Sequence, residues 1–143
     1  CWSLVGSEMC IRDSHTGVIS NTKNMSDPDK RKPVQFAGCT LKDGVSLNDV
    51  HEFIEKDGKM MTEFGFTGWA RGTFSPYLGF KPDYPYDFVD MIFWHSFDER
   101  GNMANNYGDF VEKHPDLESG YNDLVECAPS NSFYNELLFD NLD

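Results

Sequence analysis

Tyr86-Asp-Phe-Val-Asp-Met-Ile-Phe-Trp-His95 is the stretch on which the fold turns. It is rich in β-branched and aromatic residues and contains no glycine or proline, so it reads as a strand. Alternate side chains of a strand point to opposite faces. Phe88, Ile92 and Trp94 therefore share one face, and Val89, Met91 and Phe93 share the other. A sheet with helices on one side and water on the other should alternate apolar with polar. Here both sides are apolar. Burying side chains of this size contributes about 1.5–3 kcal/mol each, so a second face left bare would be costly in solubility. Three covers would serve: the C-terminal tail, a second copy of the same sheet, or a ligand.

Working outward, Val34–Leu41 is a short apolar run stopped by Lys42-Asp43-Gly44, and it reads as the first strand. Ser46 with Asp49 three residues on has the pattern of a capping box. Leu47, Val50, Phe53, Ile54, Met61 and Phe64 then form one apolar stripe of a helix that ends at Gly65. Phe66–Thr73 reads as the second strand, followed by a loop of prolines, glycines and aromatics. Asp98 is placed to cap a second helix, with Met103, Tyr107, Phe110 and Val111 inside it, and His114-Pro115 ends that helix. A last strand is expected at about Asp123–Ala128, and the tail from Ser130 to Asp143 carries enough apolar residues to dock as a strand or a short helix. The order β-α-β-β-α-β is the ferredoxin-like α+β pattern, an antiparallel sheet with two helices on one face plus a C-terminal tail.

Composition narrows the function classes. The chain has 143 residues and a formal net charge of −12, with 39% hydrophobic and 15% aromatic residues. That is enough apolar matter for one folded domain. The acidic balance argues against a nucleic-acid partner, because phosphate contacts need clustered Lys and Arg. No apolar run approaches the roughly 18–20 residues of a membrane-spanning helix, so no membrane partner is expected. Met9-Cys-Ile-Arg-Asp13 followed by Ser14 resembles a translated sequencing adapter, so residues 1–14 are set aside. Without Glu8, Arg12 and Asp13 the charge is −11, and only Cys39 and Cys127 remain of four cysteines. Residues 15–33 read as a disordered lead-in and 34–143 as the single domain. Met25 as the true start would mean a cytoplasmic protein; a signal peptide lost upstream would mean a periplasmic or secreted one.

The element order and the two-faced strand, over about residues 34–128, resemble the dimeric α/β barrel superfamily, which includes the antibiotic-biosynthesis-monooxygenase-like domains. The run Cys39-Thr-Leu-Lys-Asp-Gly-Val-Ser-Leu-Asn-Asp-Val50, with Cys127 near the last strand, is similar to bacterial members of that group with a Cys-x-Leu-x-x-Gly start. The resemblance implies a homodimer through the sheet face. It also implies a relation to cofactor-independent oxygenases that act on flat aromatic or phenolic compounds in apolar pockets, so no cofactor is expected.

The residues that carry chemistry gather at one end of this scheme. Trp69, Phe74, Tyr77, Phe80, Tyr84, Tyr86 and Trp94 are expected to line an aromatic pocket, the usual form of a small-molecule site. Arg71, Asp90 and His95 are its polar candidates. Asp90 interrupts an apolar strand and needs a partner if buried, for which Arg71 on the neighbouring strand is placed; the pair serves equally as a structural ion pair. His95, at the strand end, has the titration range for general acid–base work or is simply structural. His51 and Glu55 lie at i and i+4, which suits two metal ligands, but no third follows, and no metal site is expected. In this topology Cys39 and Cys127 lie side by side, as a disulfide, which requires export, or as two buried thiols. The expected function is binding of a small apolar or aromatic molecule. The alternatives are a cofactor-independent monooxygenase or isomerase and a structural dimerisation domain.

Overall fold

The structure, a computed structural model, describes residues 31–136 and 138. The adapter-like stretch, residues 15–30 of the lead-in and most of the tail beyond Glu136 lie outside them. Eight elements follow in order: β1 (Arg31–Leu41), α1 (Leu47–Phe64), β2 (Trp69–Phe74), β3 (Phe88–Trp94), α2 (Phe97–Lys113), α3 (Pro115–Leu124), β4 (Val125–Cys127) and β5 (Asn131–Glu136). The sheet is antiparallel in the order β2-β3-β1-β4, with β5 also on β1, so the chain has the ferredoxin-like α+β fold.

Local chemistry sets the helix ends. Ser46 and Asp49 form the capping box at the start of α1: the Asp49 backbone N–H donates to Ser46 Oγ at 3.2 Å, and the Ser46 N–H donates to the Asp49 carboxylate at 2.8 Å. Those bonds from Ser46 hold the Asp49 carboxyl below the ordinary carboxylate range. Gly65 closes α1 at φ 114°, a left-handed conformation that glycine adopts without steric penalty.

Four details differ from expectation. The cap of α2 is Ser96, not Asp98; Ser96 Oγ accepts from the Glu99 N–H at 3.2 Å, and Asp98 sits in the first turn where it complements the helix dipole. Residues 115–124, where no helix is expected and whose last two are assigned to the final strand, form a third helix on the same face of the sheet, with Pro115 at its start where a missing N–H costs nothing. β2 and β3 begin at Trp69 and Phe88, later than Phe66 and Tyr86, while β1 begins earlier, at Arg31. The last strand is shorter than expected, Val125–Cys127, while the described part of the tail docks on β1 as a strand, as expected; Cys39 pairs with Cys127 but Phe36 pairs with Asn131, so one residue is extra between β4 and β5. That is a β-bulge, and it carries the chain from one half of β1 to the other.

The helix-facing core lies in two clusters. One gathers Met61, Phe66, Trp94, Met103, Phe110 and Leu117. The other gathers Cys39, Val50, Phe88 and Val125. On the opposite face the loop between β2 and β3 folds back over β1. Asp87 secures it by donating its N–H to the Cys39 carbonyl at 2.9 Å and accepting the Leu41 N–H on its carboxylate at 2.7 Å. The Tyr86 ring lies flat against Gly38: a Cβ there would sit 2.5 Å from ring carbons. Gly38→Ala should therefore displace the ring and cost about 1–3 kcal/mol in denaturant unfolding; an unchanged midpoint would show the loop to be unattached at that point.

Candidate functional site

The polar groups of the interior converge on Arg71. From β2 its guanidinium grips Asp90 of β3 with two bonds, Nε to Oδ1 at 3.1 Å and Nη2 to Oδ2 at 2.7 Å. Its third arm, Nη1, donates to Oδ2 of Asp57 on α1 at 3.1 Å. Tyr121 of α3 donates its hydroxyl to Asp90 Oδ2 at 2.8 Å, and the Arg71 guanidinium lies over the Tyr121 ring, 4.6 Å from its centre. The Arg71 side chain is only 12% exposed and those of both aspartates 10%. Strand pairing explains the meeting: Thr73 faces Asp90, so Arg71, two residues earlier on the same face, reaches it on the diagonal. One residue from each of α1, β2, β3 and α3 thus ties the helix layer to the sheet.

The electrostatics are uneven. Burial works against the Arg71 charge, but the hydrogen bonds and charge of Asp90 outweigh it, so the guanidinium is held more firmly protonated than usual. Burial, reinforced by Asp90, pushes the Tyr121 hydroxyl well above the ordinary phenol range and keeps it a donor. Burial also raises the Asp57 carboxyl; Arg71 opposes this and Asp90 adds to it. Two carboxylates share one cation, and Asp90 takes the better part of it.

The expected site residues separate. Arg71 and Asp90 meet in this cluster. Trp69 and Trp94 lie on the same face but are packed: the Trp94 Nε1–H points at Met103 Sδ at 3.4 Å, and the Trp69 Nε1–H donates to the Phe66 carbonyl at 3.3 Å. Tyr77, 84% exposed, and Tyr86 belong to the loop on the other side of the sheet, where Phe80, Tyr84 and Tyr86 follow one another edge to face. The aromatics are therefore divided by the sheet rather than gathered around one cavity. His95 is exposed; its backbone N–H donates to the Gly68 carbonyl, and its ring has no hydrogen-bond or ionic partner among the described residues. His51 Nε2 pairs with Thr73 Oγ1 at 2.8 Å, across from α1 to β2. No group of three or more potential metal ligands occurs among the described residues. Cys39 and Cys127, directly opposed on β1 and β4, are joined in a disulfide. They occupy a non-hydrogen-bonded pair, bounded on one side by the bond from the Ala128 N–H to the Gly38 carbonyl and with Cα atoms 4.1 Å apart, where facing side chains come closest.

Asp57 and Tyr121 were not singled out from the sequence, yet both left a trace. Asp57 falls inside the apolar stripe of α1, between Ile54 and Met61, where a solvated carboxylate does not belong. Tyr121 lies four residues after Leu117 and three before Leu124, a helical spacing hidden behind the proline at 115.

On the far side of the sheet the strands present Val34, Phe36, Ala70, Phe74, Val89, Met91, Phe93 and Phe133. The Phe36 ring touches Phe74 at 6.0 Å and Phe133 at 5.8 Å between centres, and Phe74 is 50% exposed. No helix among the described residues crosses this face.

No protein-family model matches the chain, and no curated protein matches it in sequence. Similar solved structures include SnoaB, a cofactor-independent oxygenase from Streptomyces nogalater, at 10% identity and a TM-score of 0.47 over 78% of this chain and 97% of that one. A hypothetical Arabidopsis thaliana protein is similar at 11% identity and a TM-score of 0.49, over 82% and 97% of the two chains. A protein from Nitrosomonas europaea follows at 17% identity and a TM-score of 0.46, over 80% and 97%. The fold and the chemistry are therefore read from this chain's own strands and side chains.

Proposed function

We propose that the chain is a self-associating domain in which the apolar sheet face turned away from the helices pairs with a second copy. The observation that carries this reading is the apolar face of Phe36, Phe74, Val89, Met91, Phe93 and Phe133, crossed by no helix among the described residues. Charge supports it. In a chain of net charge −12, two copies approach best where carboxylates are absent. Among the strand residues of this face only Lys32 and Glu126, at its margins, are charged. Apolar contiguity of this kind marks interaction surfaces.

A second reading is favoured by the ring series Phe80, Tyr84 and Tyr86, which continues from the same face along the loop. There a small apolar or aromatic molecule would stack without entering the packed helix side. We assign no catalytic step to His95.

Sedimentation of the purified chain tests the first reading. A dimer is expected for the unaltered protein and a folded monomer for Met91→Glu, whose carboxylate would lie at the middle of the face. A monomer before substitution, with no retained compound by native mass spectrometry, would overturn both readings. A monomer carrying a retained small molecule would favour the second.

A further inference from the structure

The cluster around Arg71 holds more negative charge than it can pair. Arg71 spends two of its three hydrogen bonds there on Asp90, which Tyr121 also serves, and Asp57 is left with one bond from Nη1. We propose that Asp57 is a proton-uptake site, a carboxyl left short of cationic partners that takes a proton in mild acid and favours the fold when it does. This inference is independent of the self-association reading, because Asp57 lies on the helix side of the sheet.

The groups that face Asp57 come from every element around it. Arg71 of β2 is bonded to it, and Asp90 of β3 repels it through the shared guanidinium. His114, at the junction of α2 and α3, favours its ionised form when charged. Tyr107 of α2 feels the Asp57 charge and that of Glu118 on α3, and its hydroxyl is raised by burial and by both. On α1 itself the adjacent Glu55, Lys56 and Lys59 are exposed and point to water. Neutralising Asp57 leaves one carboxylate, Asp90, matched to one guanidinium, which is the charge balance a buried pair needs.

The sign of the linkage follows. Burial raises the folded-state Asp57 carboxyl above its value in the unfolded chain, so the native state binds the extra proton. This contribution to stability is fully present below the unfolded value and is lost as pH rises through the folded one. Mild acid should therefore favour the fold at this site, the reverse of an aspartate whose ion pair outweighs its burial.

Thermal unfolding of the full chain and of Asp57→Asn, followed between about pH 4 and 8, tests the proposal. The asparagine keeps an oxygen acceptor for Arg71 and cannot titrate. The difference in midpoint, unaltered chain minus variant, is expected to shift in favour of the unaltered chain by about 4 °C on going from the neutral to the acid end. His114→Gln in the same series should keep that shift. A difference that stays flat, or one that vanishes in His114→Gln, would overturn the proposal. Should Asp57→Asn not fold, infrared titration of the carboxyl band in the unaltered chain reads the same event. A buried carboxylic acid signal that appears before the bulk of the carboxylates protonate is expected, and its absence would sink the idea.

Discussion

Arg71→Leu is expected to destabilise the domain by about 3–5 kcal/mol, because it strands two buried carboxylates without a cation. The size of the effect comes from the geometry. Three guanidinium bonds, to Asp57 and Asp90, are lost at once, and the side chains left behind are nine-tenths shielded from water. Domains of this kind have only about 5–15 kcal/mol of total stability, so the variant should lose a large share of its folded population. Urea unfolding followed by tryptophan fluorescence reads the change, since Trp69 neighbours Arg71 on the same strand region. Replacing Arg71, Asp57 and Asp90 together by apolar residues of similar volume should recover much of the loss, as the desolvation penalty then disappears. A change in Arg71→Leu below about 1 kcal/mol would mean that water reaches the cluster and that it behaves as a surface ion pair.

Reduction of the Cys39–Cys127 disulfide should have an effect of comparable size. The two cysteines are 88 residues apart in the chain, and a cross-link over such a span restricts the unfolded ensemble by about 4–5 kcal/mol in the chain-entropy account. Its position adds to this. Cys39 is fully buried against Val50, Phe88 and Val125, and β4 is held to β1 by only three paired residues. A strand that short depends on its cross-link. The double variant Cys39→Ala, Cys127→Ala, or the native chain in excess dithiothreitol, should therefore melt about 15–25 °C lower. An unaltered melting point with both thiols free by titration would show that the sheet edge holds itself.

Much of this architecture was legible along the chain. Alternation in Phe88–Trp94 assigned each side chain to its face correctly, because a strand's period of two is imposed by the backbone and needs no neighbour. The capping box at Ser46 and the glycine stop at Gly65 were legible for the same reason: both are satisfied within one turn of chain. Asp90 likewise announced a partner by its place in an apolar strand, and Arg71 was the basic residue the topology put within reach. What escaped was non-local. The third helix has its proline at the first position and its apolar residues at 117, 121 and 124, a short pattern that gains meaning only once α1 and α2 offer it a surface. The division of the aromatics between two faces was hidden because Tyr77 to Tyr86 lie in a loop, where no period assigns a side.

Residue order by itself determined the β-α-β-β-α-β frame, the two-sided apolar sheet and the two ends of α1, since each depends on periodicity or on contacts within a few residues. Only the tertiary structure decided that Asp57 and Tyr121 join Arg71 and Asp90. Those four come from four elements spread over 64 positions of chain separation between Asp57 and Tyr121. Their meeting follows from how helices dock on strands, and docking is a property of matched surfaces rather than of any local stretch.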